Sequence, residues 1–593
     1  MFGIDGALRD RMKSVTQRDQ ETAPEKVTGR VPWWTVLLAA GWLAQVLFRV
    51  ALETWRNVPL YVPDEVGYLL AGRFFAGGAV ADLTGRPLYY SGYALLLTPA
   101  NWISDDPSVM YRAALVTNAL IAASLLPLAY LALRRLGMNQ LPAYIAATLT
   151  ALIPSNVHYS QFALTDAVLP VMVLGWLLLV HSWLASERRI SGAMAAVLAA
   201  YMSWVHVRGF VIVIVFAVTL GVAWWQRWAN RRGITIAAWL LVMTTVAGMQ
   251  LNDLLSSRLY PRGTYGLDGL LADRLTSLSG LGWTISLTAG KLWYLIVSTW
   301  GIAGVGMVAL AIAMTRTSVP LVTRVVAAQA AISTAGIAFA TSAATPDEGT
   351  VANFVYGRYL TCLAPILFLA AIVLVMQAPK PTALRAAPIA AAVTLAAGVI
   401  VWLHAGDQLS KDFFLSTDFA ESSFLSWNWE EFHLWIVTIV ALLLLAGAAA
   451  LIAYGGRRGM LGVAGMVAAL NIAAVVATTN QVVAPWDERF AATASLKHEL
   501  RPTDRVGVNF PDMEWRIWVL QAFQSRHGLV PIDRFGRFPL PAELTVVVVP
   551  WTRGVPITKT WPAAPAGWQV ISARQPGFGG WVAWRRMSMT TAP

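Results

Sequence analysis

Long apolar segments separated by short polar segments fill the chain from residue 32 to residue 480. A transmembrane helix needs about 20 mostly apolar residues, and segments of this length predict about 13 spans. They lie near residues 32–52, 109–133, 139–156, 167–185, 191–206, 209–226, 234–254, 291–314, 324–343, 360–377, 386–404, 433–454 and 460–479. Residues 203–209 are either a turn between two spans or a polar interruption within one helix.

The loops between these segments alternate in charge. Every second loop is short and basic, and holds Arg134/Arg135, Arg188/Arg189, Arg227/Arg231/Arg232, Arg316/Arg324, Lys380/Arg385 or Arg457/Arg458. The alternate loops are mostly longer and hold Asp64/Glu65, Asp166, Asp268/Asp273, Asp347/Glu348 and the acids of residues 407–431. Because basic loops stay in the cytoplasm, the pattern predicts a cytoplasmic N-terminus and an extracytoplasmic C-terminus.

Composition supports a polytopic membrane protein. Of the 593 residues, 57% are hydrophobic and only 13% are charged, and the mean hydropathy is +0.57. The net charge of +12 is spread over short basic pairs between apolar segments, which argues against nucleic-acid binding. The single cysteine, Cys362, excludes an internal disulfide and a cysteine-based metal site. Residues 1–30 are polar and mixed in charge and show no cleavable signal peptide. We expect residues 1–31 to form a cytoplasmic N-terminal segment.

The composition changes after about residue 480, where charge density rises to that of a soluble domain. Residues 491–500 have a helical pattern, and residues 505–508, 545–549, 568–571 and 580–584 have the pattern of strands. We therefore predict an all-α polytopic domain over 32–480 and a small extracytoplasmic α/β domain over 481–593.

The first outer loop, residues 55–108, is too long for a simple connection and contains adjacent acids at Asp64 and Glu65. Residues 64–77 have the pattern of an amphipathic helix lying on the membrane. Pro63 suits the start of that helix, so the two acids fall in its first turn, where they would complement the helix dipole. The alternative is a general base held at the membrane–water interface.

Four motifs in this topology resemble those of the GT-C glycosyltransferases, and most closely the branch that contains protein O-mannosyltransferases and lipid A aminoarabinose transferases. The first is Pro63-Asp64-Glu65-x-x-Tyr68, followed by Gly77-Gly78 and Arg86-Pro87-Leu88-Tyr89-Tyr90. The others are Leu164-Thr165-Asp166-Ala167, His206-Val207-Arg208-Gly209 and Tyr356-Gly357-Arg358-Tyr359-Leu360. The likeness covers most of residues 32–480 and does not extend to the tail.

This resemblance implies an inverting transferase that moves a sugar from a polyprenyl-phosphate donor to an extracytoplasmic acceptor. The expected catalytic residues are Asp64, Glu65 and Asp166. Arg358 and Arg208, with Tyr356 and Tyr359, are expected to bind the donor phosphate, because a leaving phosphate needs cationic donors. Tyr68, Tyr90, Trp427 and Trp429 are expected to contact the acceptor.

Several of these assignments have structural alternatives. Arg208 suits snorkelling to the interface as well as phosphate binding, and Asp166 suits capping of the following span. No metal is expected, although Asp64, Asp166 and Asp347/Glu348 could supply oxygen ligands to a divalent ion. A transporter or flippase of lipid-linked sugars is the alternative function, but no internal repeat supports it.

The Ala-, Arg- and Trp-rich composition is typical of a high-GC actinobacterium. Such a source favours decaprenyl phosphate as the lipid carrier and arabinofuranose or mannose as the sugar. The acceptor would then be a cell-wall polysaccharide, a lipoglycan or a protein.

Overall fold

The computed structural model describes residues 33–587, apart from residues 54, 57, 62, 267, 497, 537–538 and 576–578. The predicted cytoplasmic segment 1–31 lies outside the described residues. The helices up to residue 494 are α1 (Trp33–Glu53), α2 (Asp64–Phe75), α3 (Ser91–Leu97), α4 (Ala100–Ile103), α5 (Pro107–Ala123), α6 (Leu125–Arg135), α7 (Gln140–Ala151), α8 (Pro154–Ser160), α9 (Leu169–Ser186), α10 (Arg189–Val205), α11 (Gly209–Gln226), α12 (Arg231–Leu259), α13 (Asp268–Thr276), α14 (Leu278–Val297), α15 (Ile302–Thr315), α16 (Leu321–Ala343), α17 (Ala364–Gln377), α18 (Lys380–Ala405), α19 (Gln408–Lys411), α20 (Ala420–Ser426), α21 (Leu434–Thr478) and α22 (Ala484–Ala494). Short 3₁₀ helices occur at Thr165–Ala167, Val351–Asn353, Arg358–Leu363 and Ser416–Phe419.

The chain is a helical, multi-pass membrane protein, as the hydropathy pattern predicts. Within the described residues, nine helices are long and apolar enough to cross a membrane, or ten if one sharply bent pair counts as a single span. The predicted segments up to residue 404 each overlap one helix or two consecutive helices, whereas 433–454 and 460–479 both lie in α21, which has a non-helical residue at Gly456. The figure of about 13 spans stays a prediction, because several of these helices are too short to cross alone.

The predicted span at 291–314 differs most from the structure. It is divided between α14 and α15, whose axes are bent by 109° across residues 298–301. Trp300 and Gly301 both have positive φ, and the Trp300 indole donates a 2.7 Å hydrogen bond to Asn471 in α21. A buried side chain and two left-handed residues thus form a corner that hydropathy alone cannot show.

Another difference concerns the turn at residues 206–208. Helix α10 ends at Val205 and α11 begins at Gly209, so this segment is a tight turn and not an interruption of one helix. A Cβ at Gly209 would lie 2.2 Å from the carbonyl carbon of Met202, so the close approach of the two helices requires glycine.

The helix of the first outer loop is confirmed over Asp64–Phe75, but its surroundings are not those of an interfacial helix. All nine residues from Glu65 to Arg73 are buried. One face packs against the aromatic residues of the segment that follows it, and Arg73 contacts the C-terminal region of the chain. Protein therefore covers the polar side of the helix as well, whereas the sequence predicts a solvated face. Its position at the membrane surface stays a prediction.

The C-terminal region contains a five-stranded mixed sheet, which confirms the predicted α/β character. Its strands are β1 (Val506–Val508), β2 (Leu529–Pro531), β3 (Val546–Pro550), β4 (Trp568–Arg574) and β5 (Trp581–Arg586), in the order β2-β1-β3-β5-β4. Strand β1 is parallel to both β2 and β3, whereas β5 is antiparallel to β3 and β4.

The sequence pattern predicts the helices of this region less accurately than its strands. The helix expected at 491–500 lies earlier, because α21 continues through a π-helical turn at Thr479–Val483 into α22, which ends at Ala494. Helix α23 (Trp515–Gln524) and strand β2 were not predicted. Helix α23 is buried from Ile517 onwards, so it lacks the apolar–polar alternation by which a surface helix is recognised.

Candidate active site

Four charged side chains form a continuous chain of ion pairs, the ladder, in the order Asp64, Arg358, Asp166 and Arg208. The ladder joins the motif of the first outer loop to the motifs of three later segments. Arg358 donates from Nη1 to Asp64 at 3.1 Å and from Nε to Asp166 at 3.0 Å. Arg208 donates to the other oxygen of Asp166 at 2.6 Å. Residues that are as much as 294 positions apart are thereby brought into one site.

The two carboxylates of this ladder have different environments. The side chain of Asp166 is 1% exposed, whereas that of Asp64 is 36% exposed. Burial favours the protonated form of Asp166, but the adjacent Arg208 and Arg358 outweigh it and lower its pKa to about 2. At neutral pH Asp166 is therefore a charged anchor between two guanidiniums, and Asp64 is the carboxylate that an incoming molecule can reach.

Glu65 is adjacent to Asp64 in the sequence, but its carboxylate is already hydrogen-bonded to groups of the protein. Its carboxylate is buried and accepts hydrogen bonds from the backbone N–H groups of residues 60, 61 and 163 at 2.7–2.9 Å. The Tyr111 hydroxyl donates a fourth, at 2.8 Å. These bonds tie the first turn of α2 to the segment that precedes Asp166, so the role of Glu65 in this arrangement is to hold the backbone.

The Arg208 guanidinium is also hydrogen-bonded to other groups of the protein. Besides Asp166, it donates from Nη1 to the carbonyl oxygen of Tyr359 at 2.8 Å, and its side chain is 1% exposed. Snorkelling to the interface does not describe this environment, because the guanidinium points into the fold. Arg208 instead connects the turn before α11 to the 3₁₀ helix that carries Arg358.

Arg358 retains donor capacity beyond the ladder. Its guanidinium lies 5.3 Å from the Tyr61 ring and 5.8 Å from the Tyr159 ring, and Tyr356 lies 3.3 Å from Nη1. Within the described residues, Nη2 has no hydrogen-bond partner. The side chain is 10% exposed, so a ligand could reach this nitrogen.

Lys291 is a buried lysine without a carboxylate partner in the described residues. It lies within α14, is fully buried, and donates to the hydroxyls of Thr341 at 2.9 Å and Thr345 at 3.4 Å. In the described part of the chain no carboxylate pairs with it. Its Nζ lies 5.2 Å from the centre of the Tyr359 ring, and the Arg208 guanidinium lies 5.4 Å from the same ring.

Two residues near this cluster were not identified from the sequence. Tyr89 places its hydroxyl 3.5 Å from the carboxylate of Asp64, whereas the predicted Tyr90 has no described contact with the ladder. Asp418 interacts electrostatically with Arg358 and Asp64, and burial raises its pKa to about 6. Lys291, in contrast, is a candidate from the sequence, since a lysine within an apolar span is rare. With Arg262 and Arg274 it is the alternative position for the phosphate site. In the sequence Asp418 gave no signal, because it lies in a loop rich in acids.

The remaining predicted residues divide between the site and the surface. Tyr356 and Tyr359 flank Arg358, with ring centres 5.1 Å apart. Tyr68 is buried, and its ring centre lies 5.2 Å from that of Tyr89. Trp427 is 65% exposed, and together with Trp429 it lies on the outer-loop surface without a described contact to the ladder.

The metal hypothesis has little support in this geometry. Asp64 and Asp166 already share the cationic Arg358, and Asp347 and Glu348 are exposed on a separate turn. In the part of the chain that the structure describes, no three His, Cys, Asp or Glu side chains are grouped to hold a metal ion. Metal independence nevertheless stays a prediction.

Known proteins share both a sequence segment and the fold with this chain. Residues 77–251, from the end of the Asp64 helix into α12, match the family model described as dolichyl-phosphate-mannose-protein mannosyltransferase. No curated protein matches the sequence as a whole.

Two crystal structures of ArnT from Cupriavidus metallidurans share the fold at 14% identity. The structure bound to undecaprenyl phosphate superposes with a TM-score of 0.54 over 95% of this chain and 100% of ArnT. The apo structure superposes with a TM-score of 0.51 over 94% and 99%. Residues 77–251 thus resemble a mannosyltransferase family in sequence, and the chain shares the fold of ArnT. Both findings agree with the resemblance to GT-C glycosyltransferases that the motifs indicate.

Proposed function

We propose that this enzyme transfers a sugar from a polyprenyl-phosphate donor to an extracytoplasmic acceptor, with Asp64 as the general base. The observation that carries this proposal is the ladder itself, in which the solvent-accessible Asp64 is held 3.1 Å from the buried Arg358. A base and a cation side by side suit a reaction that removes a proton at one end and releases an anion at the other.

The chemistry is a single displacement at the anomeric carbon. The acceptor hydroxyl gives its proton to the Asp64 carboxylate while its oxygen forms a bond to the anomeric carbon. The bond from that carbon to the phosphate oxygen breaks on the opposite face, and its electron pair stays on the lipid phosphate. This course inverts the configuration and needs a carboxylate within hydrogen-bond reach of the acceptor.

Arg358 and Lys291 are the proposed partners of the donor phosphate. The unpartnered Nη2 of Arg358 can donate to a phosphate oxygen, and Lys291 is a buried amine whose charged form an adjacent anion would favour. Arg208 contributes less directly, since it holds Asp166 and the Tyr359 carbonyl. Undecaprenyl phosphate bound to ArnT is a ligand of the same chemical class.

The orientation follows from the loops. The ladder connects acid-bearing loops, whereas the basic pairs lie in the alternate loops, so the proposed site faces away from the cytoplasm. Decaprenyl phosphate as carrier, arabinofuranose or mannose as sugar, and a cell-wall polysaccharide, lipoglycan or protein as acceptor remain part of the proposal.

The test uses purified enzyme in proteoliposomes with a decaprenyl-phosphate sugar labelled in the sugar, and with a cell-wall polysaccharide, lipoglycan or protein supplied as acceptor. Transfer consumes the donor and releases decaprenyl phosphate, whereas a flippase only moves intact donor between leaflets. We expect consumption by the native enzyme and none by Asp64→Asn. Relocation of intact donor without release of the lipid phosphate would contradict the proposal and favour the flippase alternative.

A further inference from the structure

The C-terminal region contacts the C-terminal end of α2, the helix that carries Asp64. Arg73, in the last turn of α2, is 7% exposed and donates to backbone carbonyls at the end of α23. Its guanidinium contacts the carbonyl of Phe523 and those of Ala522 and Ser525, the last two at 3.2 and 2.9 Å. A guanidinium is well suited to this place, because the C-terminal carbonyls of a helix lack partners and carry a partial negative charge.

A second contact holds the opposite end of α23. The Arg86 guanidinium lies 4.5 Å from the centre of the Trp515 ring, at the first residue of that helix. Arg86 belongs to the same short segment as Tyr89, whose hydroxyl lies 3.5 Å from Asp64. Both ends of α23 are thus in contact with arginines of the first outer loop.

A third contact reaches the first turn of α2. The Phe523 ring lies 6.4 Å from the Tyr111 ring in an edge-to-face arrangement. The hydroxyl of Tyr111 donates to Glu65, the residue whose carboxylate holds the backbone next to Asp64. A continuous chain of contacts therefore runs from α23 through Tyr111 and Glu65 to the position of Asp64.

We infer that helix α23 of the C-terminal region is part of the catalytic apparatus, as a clamp that holds the Asp64 helix in its reactive position. Arg73, Arg86 and Tyr111 are the positioning residues that transmit this constraint. The inference rests on the proposed role of Asp64 and assigns a function to the C-terminal region. Small displacements matter at such a site, because moving a reacting group by about 1 Å can reduce the rate by about 10²-fold.

The experiment compares Arg73→Met and Arg73→Lys in the full-length enzyme, with Arg553→Met as the control. Arg553 is an exposed arginine of the same region, outside the contacts described above. We expect Arg73→Met to lower kcat by roughly 10–100-fold while donor affinity stays within about 2-fold of the native value. The kcat of Arg73→Lys should lie between those of the native enzyme and Arg73→Met. An ammonium keeps the charge, but it lacks the planar guanidinium that donates to several carbonyls.

Backbone hydrogen exchange provides a readout that does not depend on turnover. In Arg73→Met, residues 64–75 should exchange faster while strands β3 and β5 stay protected, which shows a loosened helix beside an intact sheet. Phe523→Leu, which keeps an apolar side chain but removes the ring, should give the same pattern more weakly. Normal kcat together with unchanged exchange at 64–75 in both variants overturns the clamp.

The two proposals fail in distinguishable ways. If Asp64→Asn retains transfer, the proposed base is wrong, whatever the exchange results are. If Asp64→Asn loses transfer but Arg73→Met and Phe523→Leu both turn over normally, the proposed base is supported and the clamp is wrong. Loss of protection in β3 and β5 of Arg73→Met together with normal protection at 64–75 also overturns the clamp, because it shows that Arg73 only stabilises the C-terminal fold.

Discussion

The Arg358 guanidinium lies 3.1 Å from the carboxylate of Asp64, although the two residues are 294 positions apart in the sequence. The pair combines a partly exposed acid with a largely buried cation that keeps one nitrogen free within the described residues. In the proposed reaction, Asp64 accepts the proton of the acceptor and Arg358 binds the departing phosphate. The ion pair also fixes the carboxylate before substrates arrive, so little reorganisation is needed during catalysis.

Replacing the proposed base should abolish transfer without disturbing the fold. For Asp64→Asn we expect the single-turnover rate to fall by about 10²–10⁴-fold, as is typical of the loss of a general base. Donor binding and the unfolding temperature should change little, because the side chain is partly exposed. The control is Asp82→Asn, in the same loop, where the carboxylate pairs with an exposed Arg262 at 2.9 Å. Near-normal turnover of Asp64→Asn would contradict the assignment.

The adjacent acid should behave differently. In Glu65→Gln, an amide N–H₂ would face groups that donate hydrogen bonds to the carboxylate, so at least one buried N–H or O–H would lose its acceptor. We expect a loss of stability of about 1–3 kcal/mol, measured by thermal unfolding in detergent, with reduced transfer as a consequence. If Glu65→Gln were as stable as the native protein and inactive, Glu65 would be the better candidate for the base.

The shape of the guanidinium at position 358 should matter as well as its charge. Arg358→Lys keeps the charge but cannot bridge Asp64, Asp166 and a phosphate with a planar fork. We expect donor affinity to fall by roughly 10–100-fold, as for the loss of one charge-assisted hydrogen bond. Arg324→Lys is the control, since Arg324 lies in the first turn of α16 and donates to the Met314 carbonyl. Equal donor binding by the native enzyme and Arg358→Lys would show that Arg358 acts only within the ladder.

Lys291 offers a prediction in which stability and binding change in opposite directions. Lys291→Met removes a buried amino group that has only hydroxyl partners. Because burying a polar group with few partners is costly, the variant should unfold at the same or a higher temperature than the native protein. Donor affinity should nevertheless fall, since the phosphate loses a cation. A lysine with a purely structural role would give lower stability and unchanged donor affinity.

The depressed pKa of Asp166 predicts how stability depends on pH. Its folded value of about 2 lies below the usual value of about 3.9 for an unfolded aspartate. Its contribution to stability is therefore complete above about pH 4 and is lost as the pH falls towards 2. Asp166→Asn should destabilise the protein by about 3–5 kcal/mol at neutral pH, because Arg208 is left buried and uncompensated. Acid unfolding curves of the two proteins should converge as the pH falls. Parallel curves would show that the ladder does not stabilise the fold.

Several features of this protein could be read from the sequence because their causes are local in the chain. A helix in lipid satisfies its own backbone hydrogen bonds, so the apolar segments are recognisable without knowledge of their neighbours. The change in charge density near residue 480 likewise indicated a separate C-terminal region. Asp64, Asp166 and Arg358 were identified because each lies in a short motif at the end of an apolar segment.

The roles of these residues depend on contacts that the sequence does not contain. Asp64 and Glu65 are adjacent and chemically alike, and only the packing of α2 directs one towards solvent and the other onto backbone N–H groups of residues 60, 61 and 163. Lys291 became a leading candidate only when α14 placed it beside Tyr359. Helix α23 gave no clear signal, since it is buried on nearly every side and its partners, Arg73 and Arg86, lie more than 400 positions earlier. Hydropathy and short motifs thus determined the class of protein and the candidate residues. Tertiary structure decided their roles, because burial and charge compensation depend on which distant segments meet.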